Sequence, residues 1–182
     1  MANTNTAGFG LIPAGTLGST PSTQGQSKYY IDAGYNADLF QGSSVRIVNG
    51  YVISAQASIT TTTIGVLNGI FYNAADTKKP TWANWYNQPI TPANSEDITA
   101  FVLDNPFQLY VGAMDAAIPQ ADFFETYGLT VTAAGSEISG QSSSTITYGT
   151  RAATANAWRV IRTAEDPDNE DITAAYCSVV VV

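Results

Sequence analysis

The chain has 182 residues, 45% of them hydrophobic and only 12% charged, which suits one globular domain with a sizeable core. Fifteen acidic against seven basic side chains leave a net charge of −8, and this argues against nucleic acid as a partner, since phosphate neutralisation needs clustered Lys and Arg. There is no histidine, which excludes Ser-His-Asp and Cys-His catalysis and every His-containing zinc or iron site. The single cysteine, Cys177, can form neither an internal disulfide nor a four-cysteine metal site.

In chain order, residues 1–27 stand apart. Lys28 is the first charged residue, and Gly8, Gly10, Gly15, Gly18, Gly25, Pro13 and Pro21 interrupt a run of Ser, Thr, Asn and Gln. Such a stretch supports no helix and shows no strand alternation. It does carry an apolar cluster, Phe9, Leu11 and Ile12, with Leu17 beyond. The expectation is an extended N-terminal arm, mobile when free, whose apolar anchors are buried on a partner.

From Lys28 to Val182 short β-type runs alternate with turn residues. Tyr29–Ile31 comes first, then Ser44–Val48, the hairpin dipeptide Asn49-Gly50 and the returning Tyr51–Ile53. Ile59–Ile64 is Thr-rich and β-branched, and Val66–Tyr72 carries Gly69 inside, a sign of a bulge or a close backbone approach. Ile98–Leu103, Phe107–Val111, Leu129–Thr132, Ser144–Tyr148, Trp158–Arg162 and Tyr176–Val182 complete the series. The best helix candidate, Asp115–Tyr127, contains Pro119 and allows only a short turn. The predicted fold class is all-β, a single β-barrel or β-sandwich domain over residues 28–182 preceded by the arm.

Charge is uneven along the chain. Residues 1–91 hold four basic and three acidic side chains, and residues 92–182 hold three basic and twelve acidic. The pattern suggests one face packed on something and another facing solvent. No positively charged leader, long apolar run or Asn-x-Ser/Thr sequon occurs, so the expectation is a protein assembled in a reducing cytoplasm, with no membrane partner.

Candidate chemistry is sparse. Glu96-Asp97 and Glu165-Asp166 are adjacent carboxylates, but adjacency does not give the opposed geometry of a glycosidase. Asp166–Asp171 resembles a calcium loop at first glance, yet Asp171 stands where that loop needs Gly and Cys177 where it needs Glu, so it reads as an exposed acidic turn. Gly8-Phe9-Gly10 lacks the strand and third glycine of a nucleotide loop. Cys177 reads as a buried, inert thiol. Trp82, Trp85 and Tyr86 cluster between Lys79 and Pro89, where they serve either an interface or stacking on sugar rings. No cofactor, metal site or enzymatic activity is expected.

Several stretches in order resemble a known group. They include Gly10-Leu11-Ile12-Pro13, Leu39-Phe40-Gln41-Gly42-Ser43-Ser44-Val45, Ile64–Tyr72, Ala100–Leu109, Ile138–Ser142 and Trp158–Ile161. Together these are similar to the head decoration (cement) proteins of tailed bacteriophages. The resemblance implies a β-barrel-like body, an N-terminal arm on the capsid lattice, no catalysis, the major capsid protein as partner, and self-association as dimer or trimer. It places the protein in the virion, on the outer surface of the capsid. The alternative is a carbohydrate- or receptor-binding tail or head-fibre module that uses Trp82, Trp85 and Tyr86.

Overall fold

The computed structural model describes residues 2–18, 25–55, 62–130 and 135–182. Among the described residues there are twelve strands: β1 (Ile12–Thr16), β2 (Gln26–Ile31), β3 (Ser44–Val48), β4 (Tyr51–Ser54), β5 (Gly65–Asn73), β6 (Pro80–Ala83), β7 (Ile98–Leu103), β8 (Gln108–Ala113), β9 (Thr126–Leu129), β10 (Ile146–Ala152), β11 (Trp158–Thr163) and β12 (Ser178–Val181). The helical content among the described residues is two single turns, Ala93–Ser95 and Gln120–Asp122. The second directly follows Pro119, which confines the expected helix to that turn. The all-β reading holds.

The strands form two antiparallel sheets packed together as a β-sandwich. The first has the order β1-β8-β12-β11-β9-β10, and the second β2-β7-β5-β3-β4. The nine-residue β5 is long enough to serve two partners on one edge, β3 along Gly65–Val66 and β6 along Ile70–Asn73. Asn49 and Gly50 turn the β3–β4 hairpin with φ of 51° and 87°, the left-handed pair that a two-residue turn requires. The register of β5 on β7 shifts between Leu67 and Gly69, so Asn68 is bulged where the glycine signalled it.

Each sheet has its own core. In β7, Ile98, Ala100 and Val102 point inward with Ile31, Val45, Val52, Leu67, Ile70 and Tyr86. The other core gathers Tyr110, Met114, Tyr127, Ile146, Trp158, Cys177, Val179 and Val181, with Tyr110 edge-on to Trp158 at 5.4 Å. The two meet where β5 and β7 run under the first sheet. Val66 and Leu103 are paired there, both packed on the first core, and the Tyr110 hydroxyl donates to the Leu103 carbonyl at 2.9 Å.

The N-terminal segment corrects the sequence reading. It is extended, but residues 2–18 run along the chain's own body. Leu11, expected to need a partner, is 1% exposed in the first core. Ile12–Thr16 is a terminal strand of the first sheet, and Gln26 and Ser27, assigned to the arm, already belong to β2. The Gly10 amide donates to Ser144 O (3.1 Å) and the Leu11 amide to Gly42 O (2.9 Å), so two consecutive residues join opposite sides of the seam. The close approach needs glycine. Gly10 has φ +75°, and a Cβ there would lie 2.8 Å from Ser142 Cβ and 2.9 Å from Gly42 O. Composition signalled flexibility; the glycines supply clearance.

Other expectations shift in detail. β9 begins at Thr126, three residues before the predicted run, and Val131–Ala134 lie outside the described residues, as does the first half of Ile59–Ile64. β6 forms within the aromatic-rich stretch between Lys79 and Pro89, where no strand was predicted.

Two outcomes follow. Leu11→Ala should cost about 2–5 kcal/mol in urea unfolding, the usual range for a buried leucine in a packed core. Deleting residues 1–18 should abolish cooperative unfolding, where a loose arm would leave it unchanged. Burial also pushes the Tyr127 phenol up to about 12 from 10.0. Its folded-state value lies above the unfolded one, so the stability it contributes is complete below pH 10 and is lost as pH rises through about 12. Thermal melts across that window should show the decline, and Tyr127→Phe should shallow it.

Candidate functional site

Alternation along a strand decides which side chains share a face, and register decides which become neighbours. On the second sheet Tyr30 of β2 pairs with Thr99 of β7, Thr99 with Phe71 of β5, and Phe71 with Trp82 of β6. These four residues form one row directly across four strands. The next row places Lys28 opposite Phe101, and Phe101 opposite Gly69. Both rows lie on the face whose far end, Leu103 and Val66, is covered by the first sheet. Among the described residues, the cover stops here.

Three rings of the row are open to solvent: Tyr30 is 54% exposed, Trp82 52% and Phe71 37%. Trp82 leans over Gly69 onto Phe101, with ring centroids 4.9 Å apart and a 51° tilt. A Cβ at Gly69 would lie 2.5 Å from Trp82 Cζ2, so the glycine makes room for the indole to lie against the sheet. The Lys28 ammonium stands 5.9 Å from the Phe101 ring centroid, on the opposite side of the row from the carboxylates. Those carboxylates are Asp97, which accepts from the Tyr51 hydroxyl at 3.3 Å, and Glu96, which accepts from the Asn73 amide at 3.3 Å. The negative charge of Asp97 raises the Tyr51 phenol above its ordinary value.

The structure separates the three aromatics that lie close in sequence. Trp82 belongs to this exposed row. Trp85 stacks on Phe40 at 5.0 Å, nearly parallel at 9°. Tyr86 is wholly buried: its hydroxyl donates to Tyr35 O at 2.7 Å, and its backbone bridges Leu39 in both directions. Tyr86 is therefore a core residue, not a contact for a ligand.

A second apolar surface lies along β1. Ile12, Leu17 and Phe107 are each more than 40% exposed, and the Leu17 amide donates to Phe107 O at 2.8 Å. Beside Ile12 a cleft of about 240 Å³ is lined by Phe9 and Pro13 together with Gln41, Asn68 and Gln141. Of the four arm anchors, Ile12 and Leu17 are thus available to a partner, Phe9 is half-buried and Leu11 is internal.

The acidic turn Asp166–Asp171 holds the start of the described chain. Asn169 Oδ1 accepts from the Thr4 hydroxyl (3.0 Å) and the Asn5 amide (2.7 Å), and the Asn3 amide group donates to Asp171 O (3.0 Å). Among the described residues, no group of three or more metal-ligating side chains converges, and no helix is long and apolar enough to cross a membrane. Glu165 pairs with Arg162 at 3.1 Å, both exposed. Burial pushes the Cys177 thiol up to about 11, which keeps it protonated and unreactive near neutrality.

Comparison with protein-family models, curated proteins and solved structures finds no match to this chain.

The differing exposures of the tryptophans can be read by acrylamide quenching. Trp82→Ala should remove most of the quenchable fluorescence, and Trp158→Phe should remove a component that acrylamide barely reaches.

Proposed function

We propose that the chain is a non-enzymatic virion structural protein, a capsid decoration (cement) protein that binds an assembled bacteriophage head and reinforces it. The reading is supported by the order of stretches that resemble such proteins. The observation that carries it is the apolar surface of Ile12, Leu17 and Phe107 beside β1, the terminal strand of its sheet. A terminal strand can accept a partner strand, while alternate side chains and the adjoining cleft supply selectivity.

Residues 2–18 are already ordered on the body, so binding through them avoids the 1–2 kcal/mol per residue that ordering a loose arm would cost. Burying the remaining exposed area of three partly buried side chains contributes roughly 1 kcal/mol each. A single such contact is weak. Stable decoration therefore calls for several copies acting together, which fits self-association as dimer or trimer on the major capsid protein lattice. The segment has no charged residue before Lys28, so this contact should depend weakly on salt.

The test is co-sedimentation with heads of the encoding phage that lack the protein. Wild type should saturate them, and Ile12→Glu with Leu17→Glu should cut occupancy about tenfold or more while leaving the melting temperature within a few degrees. Equal occupancy by wild type and the double variant, or no binding by wild type, would sink the reading.

A further inference from the structure

We infer that the aromatic row on the second sheet is a saccharide-binding platform, on which a short chain of sugar rings lies across Tyr30, Phe71 and Trp82. The row is the uncovered end of a sheet face whose other end is packed under the first sheet. Its rings are held by strand register and not by a loop, so they form a fixed surface whose shape needs no ordering on binding. From β2 to β6 the row crosses three interstrand gaps, about 14 Å at the usual strand spacing. That is the length of a short oligosaccharide, not of a single ring.

Area separates this occupant from a protein. Aromatic side chains present about 150–250 Å² each, so three rings at these exposures offer about 200–350 Å². A stable protein interface needs roughly 800 Å² per partner. The patch is too small for a second copy of this chain to hold by itself, and large enough for the apolar faces of two or three sugar rings.

Polar groups border the rings on both sides. Thr99 sits within the row, Lys28 lies on one flank, and Asp97 and Glu96 with Asn73 lie on the other. Sugar hydroxyls around an apolar ring face need this arrangement of donors and acceptors. The platform does not depend on shell binding. The row of Lys28, Phe101 and Gly69 separates it from the cleft beside β1, which ends at Leu103 and Val66.

The experiment uses the free, full-length protein. An array of neutral and acidic hexasaccharides, including cellohexaose, maltohexaose, N-acetylchitohexaose and lipopolysaccharide core oligosaccharides, is screened, and hits are titrated by tryptophan fluorescence and calorimetry. At least one probe should bind with millimolar affinity or better. Trp82→Ala and, independently, Tyr30→Ala should each weaken it about tenfold, while circular dichroism and the melting temperature stay near wild type. Tyr30 is half exposed on a terminal strand, so its variant remains informative should Trp82→Ala fail to fold. Absence of any binding, or binding untouched by both variants, overturns the inference. So does self-association in solution that Trp82→Ala abolishes, since the row would then be an interface between copies.

Discussion

Everything in this fold leans on the passage of Gly10 and Leu11 through the seam between the sheets. One backbone amide is given to Ser144 and the next to Gly42, and the leucine side chain fills the first core. The chain can lie so deep only because no side chain intervenes at the narrowest point, where a Cβ on Gly10 would press against Ser142 and the Gly42 carbonyl. Once Leu11 is placed, β1 follows onto β8, and Thr4 and Asn5 reach the buried Asn169 side chain. A segment with the composition of a tail thereby acts as a structural tie.

The second dependence is the double use of β5 and β7. Successive residues of these strands serve different cores: Val66 and Leu103 face the first sheet, Leu67 and Val102 the interior of the second. The bulge at Asn68 keeps this alternation in step as β5 passes from beneath the first sheet into the open. Beyond that point the same face continues without a cover, and its side chains are rings bordered by polar groups. A sheet face left apolar where packing no longer requires it is a feature that asks for a ligand.

Both candidate surfaces are built on strands. The Asn169 side chain is taken up by Thr4, Asn5 and Asp166, the Asn3 side chain by the backbone of Asp171, and Cys177 is held protonated inside the core. What the fold offers is shape: a terminal strand with aliphatic side chains on one sheet, and a rigid aromatic row on the other.

The sequence by itself determined the fold class. Strand-length β-branched runs, the Asn49-Gly50 turn, the bulge at Gly69 and the helix-limiting Pro119 are local signals, and local physics decides them. It also drew attention to Trp82, though within a trio whose members proved unlike: Trp82 on an open face, Trp85 stacked on Phe40, Tyr86 buried and bridged to Leu39 through the backbone. The fate of residues 2–18 was not legible, because glycine marks both freedom and close approach, and only the neighbouring backbone tells which applies. Nor was the row of Tyr30, Thr99, Phe71 and Trp82. A period of two says which residues share a face, but not which strand lies beside which or in what register. Those choices were made by the pairing of β2, β7, β5 and β6, where burying two cores at once left a single consistent alignment.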